Sequence, residues 1–126
     1  MPNLPSARLR LLMVPPVLAG LAAFGGMRHN RLVRAEPAVD ATVSVAPTRV
    51  RLWFKEPAEL AVSAIKVTGP DAAPVATSAV QVADSATSIA VAFKEPVRPG
   101  AYQVSWKTAS SDGHVIRGSY GFVLRP

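Results

Sequence analysis

Polar and apolar residues alternate with period two along most of the chain beyond residue 30, the pattern of strands that turn one face to a core. VRLWF (50–54) places Val50, Leu52 and Phe54 on one face and Arg51 and Trp53 on the other. SAIKVTG (63–69) forms a second run and ends at the turn signal Gly69-Pro70-Asp71. AVQVA (79–83) and TSIAVAF (87–93) follow, separated by Asp84, Ser85 and Ala86. AYQVSWKTA (101–109) aligns Tyr102, Val104 and Trp106, and SYGFVL (119–124) aligns Tyr120, Phe122 and Leu124. With an early strand around RLVRAEP (31–37), these runs make seven.

The one helical candidate, EPAELAVSAI (56–65), is held to about a turn by Pro57 and its β-branched residues. Short strands separated by turns predict an all-β fold: a seven-stranded antiparallel Greek-key sandwich or barrel, immunoglobulin-like or cupredoxin-like. VRPGAYQVSW (97–106) further predicts a tyrosine corner, in which Tyr102 hydrogen-bonds back to the preceding backbone.

The first 28 residues follow a different rule. Arg8 and Arg10 precede LLMVPPVLAGLAAFGG (11–26), which carries no charge and ends in small residues. This is the layout of a secretory signal peptide. As a membrane anchor the run is short against the ~20 residues a span requires, and Pro15 and Pro16 interrupt it. The expectation is a leader over 1–28, a domain over 29–126 that is periplasmic or otherwise exported, and no membrane span once the leader is removed. The cleavage point stays open. Gly26-Met27-Arg28 suits signal peptidase poorly, and the pairs Ala23/Gly25 and Gly20/Ala22 lie upstream. A cut after Gly26 would leave a histidine in third position, a minor alternative in which the amine, two amides and the ring form one chelate.

Removing Arg8, Arg10 and Arg28 takes 14 Lys and Arg to 11 against eight acids, a net charge of +3. The remaining cations are scattered through the strands without interleaved aromatics, which argues against nucleic acid as a partner. The chain has no cysteine, so the domain stands on its core without disulfides and any metal site must use nitrogen and oxygen donors.

Two histidines exist, His29 and His114. In SSDGHVIRG (110–118), Asp112 and His114 flank Gly113, so their side chains can point the same way from a turned backbone that glycine permits. That donor pair suits Cu(II), Ni(II) or Zn(II), with copper favoured in square-planar geometry. Asp-Gly is also an ordinary turn dipeptide, and on that reading His114 is a surface residue. His29 falls where the leader ends. As a first residue it would offer its α-amine and its ring, which with Asp112 and His114 makes three nitrogens and one oxygen.

HNRLVRAEPA (29–38), VRLWFKEP (50–57) and PGAYQVSWKTASSDGHVIRGSYGFVL (99–124) resemble the CopC/PcoC (YobA-like) family of periplasmic copper-binding proteins. The resemblance covers 29–126. Its closing pattern is met by Tyr102, Val104, Trp106, Ser110, Asp112, Gly113, His114, Gly118 and Phe122. It implies one Cu(II) per chain on His29, Asp112 and His114, with Glu56 as a neighbour that orients a ligand. It also implies a copper carrier or buffer without catalytic activity, serving an inner-membrane importer of the CopD kind or another copper acceptor. Some members bind Cu(I) through a methionine-rich loop. Here Met1, Met13 and Met27 all precede His29, which implies a Cu(II)-only type. Two other readings stand beside it: a metal-free sandwich serving protein contact, and a mononuclear copper redox enzyme.

Overall fold

A computed structural model describes residues 30–126. The leader and His29 lie outside the described residues. The described chain forms two packed sheets with a single 3₁₀ turn at Leu60–Val62. The strands are β1 (Leu32–Glu36), β2 (Thr42–Val43), β3 (Arg49–Phe54), β4 (Ala64–Thr68), β5 (Pro74–Val75), β6 (Gln81–Val82), β7 (Ser88–Ala92), β8 (Gly100–Ala109) and β9 (Val115–Leu124). One sheet has the order β1-β3-β7-β6 and the other β2-β9-β8-β4-β5. Neighbours such as β3/β7 and β4/β8 are distant in sequence, as Greek-key connections require.

The all-β sandwich is therefore as expected, with nine strands rather than seven among the described residues. The added strands are β2 and β5, each two residues long. Two residues cannot display an alternation, so the periodicity that marks the longer strands is silent there. The β2–β9 pair is also parallel, whereas every other pair is antiparallel.

The alternating faces meet in one core. Val50, Leu52 and Phe54 from β3 and Ile89 and Val91 from β7 pack against Ile65, Val67, Val104, Phe122 and Leu124 of the other sheet. Burying each such side chain contributes roughly 1.5–3 kcal/mol. Tyr102 and Phe122, directly opposite each other on β8 and β9, stack with ring centroids 5.2 Å apart and planes 8° apart. Trp106 closes the core at the far end of β8, edge-on to Phe54 across the two layers at 5.1 Å. On the outer face of the first sheet, Arg34 and Arg51 lie over the Trp53 ring and share Glu36 as their carboxylate.

The tyrosine corner is present. The Tyr102 hydroxyl donates to the Arg98 carbonyl at 2.6 Å and accepts from the Arg98 N–H at 3.0 Å. It fixes the entry to β8, while the functional candidates lie at its exit.

Candidate functional site

β8 and β9 pair without interruption from Gly100↔Leu124 to Ala109↔Val115, so residues 110–114 form the tip of a long hairpin. The tip is tight: the Gly113 N–H donates to the Ser110 carbonyl at 2.9 Å, and Gly113 takes a φ of +81°. That is the left-handed backbone that glycine adopts without strain.

The turn converges on one carboxylate. Ser110 Oγ, buried at the base of the tip, donates to Asp112 Oδ1 at 2.8 Å. The backbone N–H of His114 donates to the same oxygen at 3.0 Å. The second oxygen, Oδ2, lies 3.3 Å from His114 Nδ1. The His114 backbone bond, followed by the Ser110 hydroxyl and the His114 ring, pulls the Asp112 carboxyl down to about 2. Asp112 is thus ionised throughout the ordinary pH range, and it faces an imidazole nitrogen.

A 3.3 Å separation between a carboxylate oxygen and a ring nitrogen has a chemical meaning. Two donors bound to one ion at about 2.0–2.2 Å stand about 3 Å apart, so both could hold one metal ion with little movement. Asp112, Gly113 and His114 are all exposed, which puts the pair on an open rim rather than in a cleft. A wide surface groove, lined by residues that include Pro70, Pro74, Arg98 and Tyr102, lies toward the opposite end of β8.

The turn between β3 and β4 runs past this rim. The Glu59 N–H donates to the Ala109 carbonyl at 2.7 Å, immediately before the hairpin tip. Ser63 Oγ donates to the Glu59 carbonyl at 2.7 Å and meets Thr108 Oγ1 at 2.8 Å in the interior. At the start of the same turn, Glu56 is held through its backbone by the side chain of Asn30. Among the described residues, no group of three or more His, Asp or Glu side chains is gathered closely enough to hold a metal. Glu56 therefore does not complete a three-ligand set with Asp112 and His114 here.

Of the expected site residues, the fold brings Asp112 and His114 together and places Glu56 at the start of the neighbouring turn. His29 precedes the first described residue. Two participants carried no role in the sequence reading. Ser110 holds the carboxylate, and its signal is a hydroxyl two residues before an aspartate in a turn. Asn30, the residue after His29 in sequence, is buried, and only its side-chain chemistry could have drawn attention to it.

Known proteins agree with this architecture. The sequence profile of the CopC domain matches residues 32–125. The chain is 33% identical over 98 residues to Protein YobA of Escherichia coli (strain K12), covering 77% of this chain and 79% of that protein. It is 34% identical over 118 residues to Copper resistance protein C of Xanthomonas campestris pv. juglandis, covering 86% and 90%. The crystal structure of PcoC, a methionine-rich copper resistance protein from Escherichia coli, matches with a TM-score of 0.70 at 32% identity, covering 77% of this chain and 99% of that one. A profile spanning nearly all described residues, a shared fold, and relatives matched over most of their own length establish that this chain belongs to the CopC family.

Proposed function

We propose that this protein is an exported, periplasmic copper-binding protein that carries or buffers one Cu(II) ion in copper homeostasis or resistance. The observation that supports this best is the Asp112–His114 pair: an ionised carboxylate oxygen 3.3 Å from a ring nitrogen on an exposed rim. His29 supplies the remaining nitrogens, its ring and, where cleavage leaves it first, its α-amine. Glu56 stands by as a group that orients a ligand. Copper is the metal of choice because relatives of this chain are named for copper resistance and the donors are nitrogen and oxygen.

The soft donors that Cu(I) prefers are absent from the domain. PcoC is described as methionine-rich, whereas all three methionines here precede His29. A Cu(II)-only carrier follows, with an inner-membrane importer of the CopD kind or another copper acceptor receiving the ion. Four donors on a square-planar ion leave little room for a substrate, and the exposure of Asp112 and His114 leaves the pair open to an acceptor protein, which favours carriage over catalysis. Titration of the exported protein with Cu(II) tests the reading. It predicts one equivalent bound with an affinity that falls at least tenfold in His114→Ala, and an unchanged affinity would contradict it.

A further inference from the structure

Asn30 is only 3% exposed, although a carboxamide is costly to bury unless its donors and acceptor are satisfied. Its side chain meets that demand with three bonds. Oδ1 accepts from the Glu56 N–H at 2.8 Å and from the Arg31 N–H at 3.0 Å, and Nδ2 donates to the Glu56 carbonyl at 3.2 Å. A carboxamide has the donor and acceptor of a peptide group, so it grips both backbone groups of Glu56 as a neighbouring strand would.

The place of this grip matters. The Lys55 N–H donates to the Arg31 carbonyl at 2.9 Å, and Pro57 has no N–H with which to extend that ladder. Without Asn30 the described chain before β1 would keep only the Arg31–Lys55 bond, and weakly tethered chain ends fray. From Glu56 the turn leads to Glu59, whose N–H is bonded to Ala109, and to Ser63, which is bonded to Thr108. From there Ser110 bonds to Asp112. A line of short contacts thus joins Asn30, one peptide bond after His29, to the loop that carries Asp112 and His114.

We propose that Asn30 is a positioning residue for copper binding: its buried carboxamide ties the first described residue to Glu56, on the turn that is itself bonded to the β8–β9 hairpin, and so supports His29, the ligand that precedes it in sequence. The proposal rests on the reading of His29, Asp112 and His114 as ligands and adds a residue that touches no metal. A hydrophobic residue could fill the same space, but it would supply no directional hold on Glu56. Partners that orient ligands typically account for about 10–100-fold in metal affinity.

The test compares the exported protein with Asn30→Ala, Asn30→Gln and His29→Ala, reading metal-free melting temperature, Cu(II) affinity by competition, and the electron paramagnetic resonance spectrum of the one-copper form. Asn30→Ala should weaken Cu(II) binding about tenfold and shift the spectrum toward that of His29→Ala. Those changes should appear at temperatures where the metal-free variant is fully folded. Should Asn30→Ala fail to fold, Asn30→Gln carries the same readout, since it retains the amide on a longer stem that misplaces the grip. A folded variant with the parent affinity and spectrum, alongside a His29→Ala variant that changes both, would overturn the positioning role alone. A His29→Ala variant with the parent affinity and spectrum would remove the ligand reading, and the positioning role with it.

Discussion

Gly118 lies directly opposite Trp106 across the β8–β9 hairpin, and the indole covers it so closely that a Cβ at 118 would come 2.4 Å from Cζ2. No carbon atoms tolerate that distance, so the ring lies where it does because position 118 has no side chain. Its edge-on contact with Phe54 depends on the same vacancy.

Gly118→Ala should therefore push Trp106 off Phe54 toward solvent. Overpacking of this kind costs about 1–3 kcal/mol. The expected result is a lower melting temperature with red-shifted, more quenchable tryptophan emission relative to the parent. Trp53→Phe in both proteins isolates the Trp106 signal, and an unshifted emission would show that the ring has room to spare.

Tyr102→Phe should cost about 1–2 kcal/mol, because it removes a hydroxyl that both donates to and accepts from Arg98 while leaving the ring to stack on Phe122. Denaturant unfolding measures it. The corner lies at the entry to β8 and the Asp112–His114 rim at its exit, so under the proposed function the Cu(II) affinity of the folded variant should not change. A loss of copper binding at full folding would mean that the two ends of β8 are coupled.

Much of this was legible in the residues themselves. The burial of Val50, Leu52 and Phe54 with Arg51 and Trp53 outward follows from VRLWF alone, and the tyrosine corner follows from a tyrosine shortly after Pro99-Gly100. Asp112 and His114 were legible as a pair because a single intervening glycine allows their side chains to point the same way, although the same dipeptide also reads as an ordinary turn. What stayed hidden depends on partners far along the chain. Trp106 and Gly118 both appear in the family pattern, yet the reason for the glycine exists only once β8 and β9 are in register. Asn30 reads as an unremarkable polar residue until Glu56, 26 positions away, is set against it. The two-residue strands β2 and β5 owe their existence to neighbours that pair with them, not to any pattern of their own.

Acid should act on the hairpin tip in a defined window. Asp112 titrates at about 2 in the folded protein against an ordinary value of 3.8, so its ionised form is favoured by folding. Its contribution to stability is complete above 3.8 and disappears as the pH falls toward about 2. Metal-free Asp112→Asn should accordingly lose part of the stability difference that the parent shows across that interval, when acid unfolding is followed by circular dichroism. Identical acid profiles for the two proteins would mean that the bonds from Ser110 and His114 do not favour the carboxylate.

The central claim is that two imidazoles distant in sequence, His29 and His114, share one Cu(II) ion beside Asp112. Pulsed electron paramagnetic resonance of the exported protein carrying a single equivalent of Cu(II) tests it most directly, because coupling to the remote imidazole nitrogens counts the bound histidines. The account predicts two coupled imidazoles in the parent and one in each of His29→Ala and His114→Ala. A parent spectrum with no imidazole coupling, or one that survives both substitutions unchanged, would contradict it.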